Sequence, residues 1–273
     1  MSRYTLGICE WAFPLPGPAG FRLMKDYGIQ SVQLDLGPYV TGFPLSVPEI
    51  QDVYLEEAEK NGIILQSVAC SDLGLYGMVN PKGTVKGDIA MKCIRKGIEA
   101  AARMGVPIVM LTNFRDGLIT DETGFINSVE KIKWACELAA EHGITIASEN
   151  ALSAEQNKRL IEMINSNNFG LCFDTQNPYL RFGYYVPDMI CELKDHILFI
   201  HVKDGSNGNI SSELLGDGDT SFAESVRAIK EIGYSGHILI ENYYNKRPLS
   251  DKADNPFRLL EMDIERFREA FAE

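Results

Sequence analysis

Five times in this chain an amphipathic stretch ends in glycine plus an apolar or aromatic residue, and a β-branched run begins at once. The junctions are Tyr27-Gly28-Ile29, Asn61-Gly62-Ile63, Met104-Gly105-Val106, His142-Gly143-Ile144 and Ile232-Gly233-Tyr234. Glycine just past a helix takes the left-handed backbone conformation at little cost, so each junction reads as a helix stop feeding a strand. The strands that follow are residues 31–36, 63–70, 107–112, 144–149 and 237–241, and residues 4–9, 170–174 and 197–202 complete a set of eight. Runs such as ILFIHV (197–202) and PIVML (107–111) are apolar on both faces, as parallel strands covered on both sides require.

Helical periodicity fills the intervals. Phe125, Val129, Ile132, Cys136 and Ala139 fall on one helical stripe; so do Ile89, Cys93 and Ala100/Ala101. Phe222, Val226 and Ile229 form a third stripe, and Phe257, Leu260, Ile264, Phe267 and Phe271 a fourth. Eight alternations over 273 residues give about 34 residues per unit, which predicts an α/β fold, a (β/α)₈ TIM barrel. An open doubly wound sheet is the alternative. No Ser/Pro-rich linker interrupts the chain, so residues 1–273 are expected to form a single domain.

Charge and cysteine content narrow the function classes. Lys plus Arg number 26 against 38 Asp plus Glu, a net charge of −12, so a polyanionic partner such as nucleic acid or an anionic membrane gains no counterion release. The six cysteines include no C-x-x-C pair and are too sparse for a disulfide framework. Glu10 interrupts the first apolar stretch after residues 6–9, too short for a secretory signal, and no run reaches the roughly 18 apolar residues of a membrane helix. A cytoplasmic protein with a small-molecule partner is expected.

The strand ends carry the chemistry. They are Glu10, Asp35, Cys70 with Ser71, Thr112 with Asn113, Glu149 with Asn150, Asp174, His201, and Glu241 with Asn242. Buried carboxylates are costly unless compensated, and no ring of Lys and Arg matches them. A divalent cation would compensate them at once. Glu149, Asp174, His201 and Glu241 offer three carboxylates and an imidazole from consecutive strands, a set that suits Mn²⁺, Mg²⁺, Co²⁺ or Zn²⁺, with Mn²⁺ the leading expectation. Any one of them alone would ordinarily be a helix N-cap or a solvated loop residue.

These segments resemble the xylose-isomerase-like barrels, the sugar and sugar-phosphate isomerases and epimerases. ITIASEN (144–150) is similar to the family's strand ending in a ligand Glu, CFDTQN (172–177) to its F-D-x-x-[NH] segment, and FIHVKDG (199–205) to its H-x-K-D segment. LLGDGDTSF (214–222) resembles its G-x-G-x-[VI]-[DS]-F loop, with Thr220 at an ordinarily apolar position, and GYSGHILIEN (233–242) its G-Y-x-G-x-x-x-[IV]-E block. LGICEWAFP (6–14) resembles the opening strand of the L-ribulose-5-phosphate (L-xylulose-5-phosphate) 3-epimerases. The resemblance implies that Glu149, Asp174, His201 and Glu241 bind one divalent ion and that Glu149 and Glu241 are the catalytic acid/base pair. A proton beside a ketone leaves only if the developing enediolate is stabilised, which a metal on the oxygens does. A carboxylate on each face then permits inversion of a stereocentre, and return of the proton to the neighbouring carbon gives isomerisation instead.

Rival readings share the barrel. A dehydratase of the inosose dehydratase type would use the same metal to expel a hydroxyl. An AP-site endonuclease would need several more histidines than the four present, and Cys70-Ser71, Thr112-Asn113 and Asn177 stand where ligands would be. A non-catalytic binding barrel would be indifferent to loss of the two glutamates. Asn177 replaces a histidine common in the family, which leans toward the phosphorylated-sugar epimerases. Substrate contacts are expected from Trp11 by stacking, and from Asn113, Asn177 and Lys203. Lys203 has Asp204 as an alternative partner, and Asn113 a helix-capping role. A phosphate would meet Arg115, Arg181 or Arg247, or the backbone of the loops 205–208 and 216–218. His142, His196 and His237 precede strands and read as structural or exposed; Cys9 and Cys70 read as packing residues with no base beside them. Relatives of this kind are often dimers or tetramers, so a homo-oligomer is a further expectation of the resemblance.

Overall fold

The computed structural model describes residues 3–272. Its strands are β1 (Tyr4–Cys9), β2 (Ser31–Asp35), β3 (Ile64–Cys70), β4 (Ile108–Thr112), β5 (Thr145–Glu149), β6 (Phe169–Asp174), β7 (Ile197–Val202) and β8 (Gly236–Ile240). The helices are α1 (Phe21–Asp26), α2 (Pro48–Asn61), α3 (Val85–Met104), α4 (Glu122–Ala140), α5 (Ala154–Ile164), α6 (Asn177–Phe182), α7 (Val186–Leu193), α8 (Phe222–Glu231) and α9 (Pro256–Ala270). The strands are hydrogen-bonded in sequence order and close into a barrel, which decides against the open sheet. Strand β1 runs parallel to both β2, with Gly7 opposite Ser31, and β8, with Leu6 opposite Ile238.

All eight expected strands are present, displaced at their ends by a residue or so. The five junction glycines, Gly28, Gly62, Gly105, Gly143 and Gly233, have φ between 67° and 75° and return each chain toward the sheet. Because the chain is still turning at the next residue, β3, β4 and β5 each begin one residue later than periodicity predicts. Glu241 lies just beyond β8, yet its backbone N–H donates to Val202 O at 2.9 Å, so the ladder extends by one bond.

The chain packs as two compact units. One holds β1, the chain up to Gln33, residues 57–64 and everything from Phe173 onward; the other holds residues 34–56 and 65–172. In the first, Ile8, Phe199, Ile200, Ile238, Leu239 and Ile240 are completely buried, and α9 adds Leu259, Leu260, Ile264 and Phe267. Each such side chain contributes roughly 1.5–3 kcal/mol on leaving water. In the second, the stripe Phe125, Val129, Ile132, Cys136 and Ala139 is buried as its periodicity requires. Gly97 lets α3 approach the sheet closely: a Cβ there would stand 2.5 Å from Cys70 Sγ. Helix starts are secured locally. Asp121 accepts from Gly124 N at 2.7 Å, and Ser153 and Gln156 form a reciprocal capping box. No helix among the described residues is long and apolar enough to cross a membrane.

Candidate metal centre

Alternation along β7 sets the first side chains. Phe199 and His201 have ring centroids 5.5 Å apart, and Lys203 follows two residues on. His201 Nε2 lies 2.9 Å from Gln33 Oε1. A carboxamide oxygen only accepts, so Nε2 is the nitrogen that donates to Gln33. Nδ1 is 3.4 Å from Glu241 Oε2. Gln33 thus orients the imidazole in the way partners of metal-binding histidines do.

Glu241 has divided duties. Its Oε1 accepts from Trp11 Nε1 at 3.0 Å and from the Tyr243 hydroxyl at 3.2 Å. Its Oε2 lies 2.5 Å from Lys203 Nζ. Burial alone would raise the pKa of this carboxyl, but the Lys203 ammonium and His201 outweigh burial and hold it well below the usual carboxylate range.

Asp174 ends β6 and is divided in the same way. Its Oδ1 accepts from the backbone N–H groups of Gln176 at 2.8 Å and Asn177 at 2.5 Å. Its Oδ2 is buried and accepts no aligned hydrogen bond, although Lys203 Nζ stands 2.9 Å away. A buried carboxylate oxygen without a hydrogen bond calls for a cation, and the Lys203 ammonium stands beside it.

Glu149, Asp174, His201 and Glu241 each offer one ligand atom, and these atoms all lie within 4.8 Å of one another. All four side chains are buried. The cluster can coordinate a divalent metal, and Asp174 Oδ2, which accepts no aligned hydrogen bond, fits that role. Two thiols adjoin it: Cys9 groups with His201 and Glu241, and Cys172 with Glu149 and His201.

The remaining expected site residues divide. Lys203 is 1% exposed and pairs with Asp174 and Glu241, not with Asp204, so one buried cation does accompany these carboxylates. Trp11 is half-buried, with its indole N–H committed to Glu241. Asn113 does not cap a helix; its Nδ2 donates to Gly117 O at 3.1 Å and Ser128 Oγ at 3.3 Å, while its Oδ1 is buried without a hydrogen bond. Asn177 is buried and opens α6, its backbone N–H on Asp174. Arg115 and Arg181 are exposed, and Arg247 pairs with Asp251 at 3.0 Å.

The glycine-rich loops spend their donors internally. Asp204 accepts from the N–H groups of Gly205, Gly216 and Gly218 at 2.8, 2.9 and 3.0 Å, and from Thr220 Oγ1 at 2.6 Å. Thr220 departs from the apolar pattern to supply that hydroxyl. Cys9, expected to lack a neighbouring base, lies with its Sγ 3.5 Å from His201 Nε2. His142 is exposed, His196 half-buried, and His237 Nδ1 is 2.9 Å from Ser31 Oγ. Gln33, Cys9, Cys172 and Tyr243 were not anticipated as neighbours of the cluster. Tyr243 was accessible by alternation from Glu241; Gln33 was signalled only as a polar residue inside a buried strand.

Comparisons with known proteins agree with this fold. Residues 21–270 match the profile of the Xylose isomerase-like TIM barrel family. The 2-epi-5-epi-valiolone 7-phosphate 2-epimerase of Actinoplanes sp. is 30% identical over 226 residues, 82% of each chain. The L-ribulose-5-phosphate 3-epimerase UlaE of Shigella flexneri is 24% identical over 93% of this chain and 90% of its own. Among solved structures, D-psicose 3-epimerase from Clostridium cellulolyticum H10 superposes with a TM-score of 0.77 at 15% identity, over 99% of both chains, a likeness of fold.

Proposed function

This chain belongs to the xylose isomerase-like TIM barrel family, and on that footing we propose that it is a metal-dependent epimerase of polyhydroxy ketones, moving the proton on a carbon beside the carbonyl. The observation that carries the reading is the convergence of Glu149, Asp174, His201 and Glu241 on one point. A divalent ion held there, Mn²⁺ foremost because the donors are mainly carboxylate oxygens with one imidazole, supplies the positive charge that stabilises the enediolate. Glu149 and Glu241 take and return the proton. Trp11 and Tyr243 fix the plane of the Glu241 carboxylate through Oε1, so that carboxylate cannot swing away from the reacting carbon. Return of the proton from the opposite face inverts the carbon.

The two relatives named above are both epimerases of phosphorylated compounds, which supports a phosphorylated substrate here. Its phosphate would be met elsewhere than at Gly205, Gly216 and Gly218, whose N–H groups serve Asp204. The six cysteines form no disulfide, which favours a reducing compartment, the cytoplasm.

The test is solvent exchange. Protein loaded with Mn²⁺ is incubated in heavy water with ketoses, ketose phosphates and cyclitol ketone phosphates. Deuterium should enter beside the carbonyl, with epimer formation, and chelation should abolish both. Net loss of water would establish the dehydratase reading instead, and undiminished exchange in metal-stripped protein would remove the ion from the mechanism.

A further inference from the structure

Lys203 is among the largest fully buried side chains of the protein, and a lysine is rarely buried to that extent unless its charge is matched. Its Nζ stands 2.5 Å from Glu241 Oε2 and 2.9 Å from Asp174 Oδ2. Those two oxygens are the ones available to an ion. The other oxygen of each carboxylate is held by neutral donors: Glu241 Oε1 by Trp11 and Tyr243, Asp174 Oδ1 by the backbone of Gln176 and Asn177. Glu241 Oε2 is also the oxygen turned toward His201 Nδ1. The protein therefore places its own cation on the same oxygens that a divalent ion would use.

We propose that Lys203 is the internal counter-cation of the metal site, holding Asp174 and Glu241 together before an ion arrives and opposing the ion once it is bound. The inference rests on the reading of these residues as metal ligands. Two buried carboxylates facing each other repel strongly in a low dielectric, and the ammonium between them removes that repulsion. The same charge repels an incoming dication sharing their oxygens. A neutral hydrogen-bond donor in this place would orient the ligands and strengthen metal binding; a cation stabilises the metal-free state and weakens it. Lys203 is thus a positioning residue that keeps metal uptake reversible.

The experiment compares the full-length wild type with Lys203→Met, close in length and uncharged, and Lys203→Gln, which keeps a donor without the charge. Mn²⁺ affinity is measured by calorimetric titration of metal-stripped protein and by chelator competition starting from loaded protein. Melting temperatures are taken with and without Mn²⁺. Both variants should bind Mn²⁺ at least about tenfold more tightly than wild type, through loss of like-charge repulsion at close range. Their metal-free forms should melt lower, so that Mn²⁺ raises the melting temperature more than it does in wild type. A Lys203→Met protein that folds only with metal present supports the counter-cation role, and chelator competition on its loaded form and on Lys203→Gln then decides the affinity. Equal or weaker Mn²⁺ binding in both variants, beside a wild type that binds it, overturns the Lys203 assignment alone. A wild type that takes up no Mn²⁺, Co²⁺ or Mg²⁺ overturns the metal centre as well.

Discussion

Glu241 and Asp263 are both buried carboxylates of the same unit, 5% and 0% exposed, and their surroundings differ in kind. Glu241 faces an ammonium and an imidazole, which hold it ionised against the effect of burial. Asp263, on α9, faces only neutral donors apart from the more distant Arg266 charge: Leu215 N at 2.8 Å, Asn242 Nδ2 at 2.7 Å and the Tyr244 hydroxyl at 2.9 Å. Burial wins there and raises its pKa to about 6. Asp204 belongs with Asp263 in having dipoles for partners, three backbone N–H groups and a hydroxyl. Carboxylates that anchor loops have their oxygens taken up by dipoles within the protein. Asp174 and Glu241 are matched instead by the buried Lys203 ammonium, and Asp174 Oδ2 accepts no aligned hydrogen bond, which is how a site for chemistry differs from a structural knot.

That contrast can be broken by substitution. The largest effect is expected from Glu241→Gln, which on the proposed reading removes a ligand and a proton carrier: kcat should fall by about a thousandfold with the fold retained by circular dichroism. A variant keeping more than a tenth of wild-type turnover would place Glu241 among the structural carboxylates. Asp204→Asn should act in the opposite manner, costing roughly 3 kcal/mol of stability in urea unfolding because an amide N–H₂ meets donors, hydrogen bonds to a charged acceptor being worth about 1.5–3 kcal/mol each. Unchanged stability would mean that Gly216 and Gly218 are held by something other than this carboxylate.

Titration sharpens the comparison. Asp263 ionises near 6 in the folded protein and near 3.8 when unfolded, so between those values the folded state keeps a proton that the unfolded state has lost. Stability from this group therefore falls as pH rises through that window, by about 3 kcal/mol in all, and is level above it. Urea unfolding of wild type and Asp263→Asn at several pH values should give a difference that changes by that order between about pH 4 and 7; parallel curves would show that its donors match the charge after all. The smallest effect is expected from Trp11→Phe, which removes one hydrogen bond to Glu241 Oε1 and leaves Tyr243 in place. A fall in kcat of roughly tenfold, equivalent to about 1.5 kcal/mol, is expected with little change in KM. A rise in KM with kcat unchanged would return Trp11 to the role of a sugar-stacking surface.

Much of the fold was legible from local signals. The helix-stop glycines, the strand runs and the apolar stripes each depend on a few neighbouring residues, and each is present in the structure. The cluster of Glu149, Asp174, His201 and Glu241, which could hold an ion, was legible for a related reason, since residues at consecutive strand ends must share one rim once the strands close. Lys203 was visible as an inward-facing residue two past His201, but its choice of Asp174 and Glu241 over the adjacent Asp204 was not. Asp204 is drawn instead to Gly216, Gly218 and Thr220, residues 12 to 16 positions away on a loop whose path no local pattern reveals. Gln33 was missed because a lone glutamine within a strand has no periodic or charge signature, and its partner lies 168 residues along the chain.

From the sequence alone came the number and order of the strands, the helices between them and the identity of the residues at each strand end, because backbone propensity and hydrophobic period operate over short spans. Only the tertiary structure decided which nitrogen of His201 meets Gln33, which oxygen of each carboxylate is held by neutral donors and which faces Lys203, and where the Lys203 ammonium settles. Those outcomes depend on competition among hydrogen-bond partners that meet only when distant strands are brought side by side, and the energy of each contact is set by a burial that exists only in the folded chain.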